Sequence, residues 1–242
     1  VFNSEDKFLK NGIKNNYNAI FKNVNSEGKN STKYKNTLES ELLSIFMFES
    51  SYPLLREGIN FNDYITPKIS LRYSPNNMKN VKNEDRRIDI NNIFSLNRLG
   101  FSDAVESGQS LTIGTEYKKT RNINDSKNLP SEKDFLELSV ATVFRDEFND
   151  DLPTSTSLGK KSSDVVGKIM FSPNNFFSSA YNFSLDNNIN KFKYHDINTT
   201  FTVNNFVTSF KYIEERENIG NENYLLNTTS YNVDENNSFS FS

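Results

Sequence analysis

Ile65-Thr66-Pro67-Lys68-Ile69-Ser70-Leu71-Arg72-Tyr73-Ser74 alternates apolar and polar side chains from end to end. Successive side chains of a strand point to opposite faces, so Ile65, Pro67, Ile69, Leu71 and Tyr73 share one face and Thr66, Lys68, Ser70, Arg72 and Ser74 the other. Downstream, Leu111, Ile113 and Tyr117 stand opposite Thr112, Gly114, Glu116 and Lys118, and Leu136, Leu138, Val140 and Phe144 opposite Glu137, Ser139 and Ala141. Phe177, Tyr181, Phe183 and Leu185 repeat the pattern against Ser178, Ala180, Asn182 and Ser184. This periodicity predicts half-buried strands, about eleven in all, over roughly 9–23, 33–49, 64–74, 109–119, 134–145, 164–172, 175–186, 190–203, 205–216, 222–233 and 236–242. Parity slips near His195 and near Leu225, where a bulge or another register is expected.

Composition agrees. Only 35% of the 242 residues are apolar, while Phe and Tyr number 21 and 11, too little aliphatic material for the broad stripes that helices bury. The asparagine-rich character runs the length of the chain, so no linker or domain boundary is visible. No apolar run nears the ~18 residues of a membrane-spanning helix, so insertion into a membrane requires a barrel. The net charge of -3 gives no reason to expect a nucleic-acid partner. Cysteine is absent, which excludes disulfides and thiolate metal sites. Asn-x-Ser/Thr occurs at Asn30, Asn124, Asn182, Asn198, Asn227 and Asn236, as expected by chance in so asparagine-rich a chain.

Turn chemistry adds direction. Short breakers at Ser172-Pro173-Asn174-Asn175, Asn204-Asn205 and Asp234-Glu235-Asn236-Asn237 recur at intervals of about 30 residues, with more polar breaks at 186–190 and 216–223 between them. Two spanning strands of about 9–11 residues, a tight turn and a modest loop fill that interval. Tight turns at one rim and long loops at the other is the asymmetry of outer-membrane barrels, with the tight turns periplasmic. Counting back from Pro173 puts 75–107 and 146–163 outside the cell and 120–133 on the periplasmic side, long for a tight turn. Alternation alone leaves a transmembrane barrel and a soluble asparagine-rich β-sandwich adhesin equally open, since each has one apolar face.

The stretch that separates them continues from the opening strand. After Arg72-Tyr73-Ser74-Pro75 comes a polar insert with Arg86-Arg87-Ile88-Asp89. Then follow Asn91-Asn92-Ile93-Phe94-Ser95-Leu96-Asn97-Arg98-Leu99-Gly100 and Glu106-Ser107-Gly108-Gln109-Ser110-Leu111-Thr112-Ile113-Gly114-Thr115-Glu116-Tyr117. These segments resemble the barrel of the LptD family of lipopolysaccharide-assembly proteins, also called organic solvent tolerance proteins. In that family a P-x-x-x-x-R-Y-x-P strand leads into a loop with F-x-x-N-R-x-x-G-x-D, and a G-x-x-L-T-x-G-x-x-Y strand follows. Asp103 falls where the loop motif places its acid, and Gly100 comes one position early. Residues 50–186, including Asp164-Val165-Val166-Gly167 and the Ser-Pro-Asn-Asn turn, carry the resemblance; the flanks follow by pattern.

The resemblance implies an all-β fold: an antiparallel up-and-down transmembrane β-barrel segment in the cell outer membrane, spanning 1–242. It implies an open curved sheet of roughly two-fifths of a barrel of about twenty-six strands. The family's N-terminal jellyroll and closing strands are not in this sequence. The chain opens Val-Phe-Asn-Ser-Glu-Asp, without Met or an export signal, which on this reading makes it an internal piece. Strands 9–23 and 236–242 are then expected to be unpaired edges. The implied activity is passive transfer of lipopolysaccharide to the outer leaflet, with no bond chemistry and no cofactor. The implied partners are lipopolysaccharide, outer-membrane lipid, the plug lipoprotein LptE and the periplasmic bridge protein LptA. A porin or receptor barrel is the alternative within the membrane class.

Site residues follow from parity. Lys14, Glu39, Glu41, Lys68, Arg72, Glu116, Glu137 and Lys168 fall on polar faces and are expected to line a lumen, because Arg or Lys facing lipid near the midplane costs about 2–4 kcal/mol. The apolar set Ile69, Leu71, Tyr73, Leu111, Ile113, Leu138, Val140, Phe177, Tyr181 and Phe183 is expected on one outward band. Loop 75–107 holds five charges of each sign and is expected to fold on itself through ion pairs; Asn97, Arg98 and Asp103 are its candidate anchors. No catalytic residue is assigned: His195 is the one histidine, no Gly-x-Ser-x-Gly elbow exists, and His195 reads as a lumen-facing or bulge residue. Asp146, Glu147, Asp150 and Asp151 lack the spacing and central Gly of an EF-hand and read as a solvated outer loop, or as carboxylates meeting divalent cations between lipid phosphates.

Overall fold

A computed structural model of the protein describes residues 1–31, 34–123, 131–216, 220–233 and 237–242. Its fourteen described strands form a single sheet. They are β1 (Phe2–Asn3), β2 (Lys7–Phe8), β3 (Lys14–Ser26), β4 (Glu39–Ser51), β5 (Leu54–Arg56), β6 (Phe61–Ser74) and β7 (Gly108–Ile123), then β8 (Ser131–Arg145), β9 (Val165–Phe171), β10 (Phe177–Leu185), β11 (Phe192–Val203), β12 (Phe206–Glu215), β13 (Glu222–Asn232) and β14 (Ser238–Phe241). Every ladder is antiparallel, and each long strand pairs with the next in sequence, from β3 and β4 through β6 to β14. β1 and β2 pair with β3, and β5 pairs with β6. No ladder joins the first and last strands among the described residues, so the sheet is open.

The eleven expected segments correspond to β3, β4 and β6–β14; the three short strands β1, β2 and β5 are additional. The first expected strand began at residue 9, but Gly12 (φ +87°) turns the chain there and the strand starts at Lys14. β7 and β8 extend to Ile123 and back to Ser131, so the described part of the expected break 120–133 is all strand; residues 124–130 lie outside those described. Val203 pairs with Phe206 across a two-residue turn whose Asn204 has φ +51°, a conformation asparagine tolerates in tight hairpins. Of the turn expected at 234–237, residues 234–236 also lie outside the described set.

At His195 the slip in parity is a bulge. Ser184 pairs with Tyr194 and Leu185 with Phe192, leaving Lys193 as the extra residue. At Leu225 the ladder between β12 and β13 is continuous, so Leu226 and Tyr224 simply stand on the other face.

The register separates two faces. Ile69 pairs with Ile113, Leu71 with Leu111, Tyr117 with Leu138, Leu138 with Ile169 and Tyr181 with Ile169, which brings the apolar set together. That face is open: Leu71 is 51% exposed and Ile113 42%. Toward the long-loop rim the polar face is covered: Ser70, Arg72, Ser74 and Thr112 are 1–3% exposed. What covers it is chain 75–107 and 146–163, from the same rim. Val81, Ile93, Leu99, Phe101 and Ala104 of the first loop and Leu152 and Leu158 of the second pack on Ala141, Val143 and Val166 of the sheet. A second cluster seats Val105 on Val24, Leu43 and Ile45. A fully buried Leu or Ile contributes about 1.5–3 kcal/mol, so residues such as Ile93 and Leu99 hold the long loop as a folded cap. Exposed apolar residues on one side and a capped polar interior on the other invert the arrangement of a soluble sandwich.

Candidate functional site

The expected wall residues share one face by register. Lys14 pairs with Ser51, Ser51 with Lys68, Lys68 with Gly114 and Gly114 with Ala141, and Arg72, Glu116, Glu137 and Lys168 keep that parity. Glu39 and Glu41 of β4 do likewise. Most are neutralised locally: Lys14 pairs with Asp6 at 2.7 Å, Lys68 with Glu49 at 3.1 Å, Lys168 with Glu137 at 3.8 Å and Glu41 with Lys79 at 3.2 Å, while Lys35 pairs with Glu39.

Beneath the cap, Arg72 is part of a buried cluster rather than a solvated wall. Glu106 is gripped by Arg98 through Nε–Oε2 (2.6 Å) and Nη2–Oε1 (2.7 Å), and Arg98 also donates to Ser110 (2.6 Å) and Thr112 (3.2 Å) of β7. Arg72 donates to the carbonyls of Leu96 (3.0 Å) and Glu106 (2.9 Å), and Arg145 at the end of β8 bonds the Glu106 carboxylate and the Ser107 carbonyl. All four charged side chains are at least nine-tenths buried. Burial by itself would raise the Glu106 carboxyl, but Arg98, Arg72 and Arg145 outweigh it and hold its pKa down to about 2. Gly108 (φ +85°) makes the approach possible, since a Cβ there would lie 3.1 Å from Arg145 Nη2. Gly114 does the same for Phe94, whose Cζ would stand 2.9 Å from such a Cβ.

Of the three candidate anchors, Arg98 reaches the sheet. Asn97 closes its own turn by donating to the Phe101 carbonyl at 3.0 Å, and Asp103 accepts from Tyr34 of the neighbouring loop. Glu106, quoted with the motif stretch, and Arg145 were not singled out by the sequence reading; Glu106 lies two residues before β7 and Arg145 is the last residue of β8. The loop does not balance its charges wholly within itself. Arg87 reaches Glu215 of β12 at 2.8 Å with its guanidinium 4.0 Å from the Tyr194 ring centre, while Lys79 reaches Glu41 of β4. The cap is thus tied from β4 across to β12. The acidic stretch is part of it: the Asp151 carbonyl accepts from Val81 N at 2.9 Å, and Asn149 donates to Ser107 Oγ at 3.1 Å.

His195 faces the apolar side, not the polar one. It pairs with Phe183, its Nδ1 lies 2.6 Å from the Tyr181 hydroxyl, and its ring sits 4.4 Å from that of Phe192. On the same side, near the tight-turn rim, Phe61, Phe135, Phe171, Phe177 and Phe201 form a row with ring centres 5.1–6.3 Å apart. A lipid-facing apolar band edged by aromatic residues is the signature of outer-membrane barrels.

An open up-and-down sheet with an exposed apolar band and a capped polar face defines a segment of a transmembrane β-barrel. More specifically, the chain matches the family model of LptD, LPS transport system D, over residues 10–240, and belongs to that family. A search of curated proteins returns no match. Family membership makes this a component of lipopolysaccharide transport at the outer membrane, a transport and assembly class.

Proposed function

We propose that this sheet is wall of the translocon that inserts lipopolysaccharide into the outer leaflet, with its polar face turned to the lumen. The observation that carries this is the inverted packing: apolar residues such as Leu71 and Ile113 lie open while Ser70, Arg72 and Thr112 are covered by the loops. Lys14, Glu39, Lys68, Arg72, Glu116, Glu137 and Lys168 are then lumen residues, and Asn97, Arg98 and Asp103 hold the cap in place. Unpaired strand edges are not tolerated in lipid, so β1 and β14 call for further strands to complete the barrel domain. By family likeness, LptE occupies the lumen as a plug and LptA delivers the glycolipid from the periplasm. The transfer is passive, with sugars crossing the polar interior while acyl chains stay in the membrane.

The test is depletion of the intact protein in its own cell, followed by the appearance of newly made lipopolysaccharide at the surface. Surface arrival should fall and return on complementation with the wild-type gene. Undiminished arrival in depleted cells overturns the reading.

A further inference from the structure

Two hollows lie side by side on the polar face. One, of about 250 Å³, lies under the Ile90–Phe94 segment; the other, of about 420 Å³, continues toward the tight-turn rim, and Thr66 and Glu116 line both. The lysines along this cleft are already engaged: Lys68 with Glu49 (3.1 Å), Lys118 with Asp134 (2.8 Å) and Lys168 with Glu137 (3.8 Å). Two carboxylates are left over. Glu116 has no ion pair within 4 Å among the described residues, and Glu132 accepts hydrogen bonds from uncharged donors, Asn62 at 2.7 Å, Thr120 at 2.7 Å and Tyr64 at 2.9 Å, with Lys118 acting on both carboxylates from a distance. The roof is partly apolar, with Phe94 held over Gly114 and capped by the Lys68 ammonium 4.5 Å from its ring centre.

We infer that this cleft is a docking site for a sugar ring of the transported glycolipid, and not for its phosphate groups. Surplus carboxylates repel phosphate, whereas a sugar offers hydroxyl donors to Glu116, while Glu132, its oxygens already accepting from Asn62, Tyr64 and Thr120, adds negative charge beside it. Thr66 and Ser139 can both give and accept bonds to such a ligand, and Phe94 supplies a wall for the C–H face of a ring. The inference rests on the proposed translocon reading and adds to it the place where the saccharide pauses.

The experiment places a photoreactive amino acid, one position at a time, in the intact protein in its cell. Thr66 and Ser139 probe the cleft, Ser209 of β12 probes the same face outside it, and Ile113 probes the apolar face. Irradiation should yield glycolipid adducts at Thr66 and Ser139 at least tenfold above Ser209, and mass spectrometry should map the new bond to the saccharide. Glu116→Ala should lower the Thr66 adduct several-fold without changing the Ser209 signal. Equal or greater capture at Ser209, or bonds mapped to phosphate-bearing or acyl portions, overturns the cleft assignment while leaving the translocon reading intact. No adduct at Thr66, Ser139 or Ser209 overturns both.

Discussion

Arg98 and Glu106, eight residues apart in one loop, are joined by two near-parallel bonds of 2.6 and 2.7 Å in a site where neither is more than 4% exposed. The same Arg98 fork reaches Ser110 and Thr112, so a single side chain couples the loop carboxylate to the wall of the sheet. Two further guanidiniums converge on Glu106, which makes this carboxylate the counter-charge of the whole cluster.

Glu106→Gln should therefore destabilise the intact protein by about 3–5 kcal/mol, because it strands buried guanidiniums without their counter-charge. Arg98→Lys keeps the charge but loses the fork and should cost about 1.5–3 kcal/mol. Unfolding by denaturant in detergent or lipid measures both. Wild-type stability in either variant would mean the cluster does not hold the cap.

Acid should loosen the cap. The folded-state pKa of Glu106, about 2, lies below its ordinary 4.5, so the stabilisation is complete above pH 4.5 and is lost as pH falls toward 2. Hydrogen exchange of residues 96–108 should rise over that interval in the wild type. In Glu106→Gln this step should vanish, protection being low throughout.

Arg87 and Glu215 latch the far side of the cap across 128 residues of sequence. Their partly exposed ion pair and the Tyr194 contact should be worth about 1 kcal/mol together, roughly a fivefold change in the open population. Glu215→Ala, which removes the ion pair and leaves the Tyr194 contact, should speed trypsin cleavage after Arg87 by up to that factor, with cleavage at Lys133 serving as the control. Unchanged cleavage at Arg87 would show that the latch carries no weight.

The two faces should answer oppositely to charge. Ile113→Lys puts an ammonium on the apolar band and should cost about 2–4 kcal/mol if it lies near the membrane midplane. Ser209→Lys, on the polar face, should assemble at nearly the wild-type level. Heat-modifiable migration of the membrane fraction on gels reads out assembly, and equal assembly of the two variants would contradict the assignment of faces.

Much of this molecule was determined by the sequence alone, where the rule is local. Alternation in Ile65–Ser74 sets which side chains share a face, because a strand repeats every two residues whatever it packs against. The Asn204-Asn205 turn was legible because asparagine tolerates positive φ. The loop motif pointed to Arg98 before its partners could be known. The tertiary structure decided the rest. Periodicity states that Arg72 faces the polar side; only the fold of 75–107 onto that side makes it buried, against the carbonyl and carboxylate of Glu106, 34 residues away. His195 turned to the apolar side because a single bulged residue, Lys193, reverses parity, and bulges leave no fixed mark in composition. The latch from Arg87 to Glu215 and the cleft beneath Phe94 depend on pairs brought together by register across many strands. Charge pairing and cavity shape are properties of that three-dimensional juxtaposition, and no local periodicity encodes them.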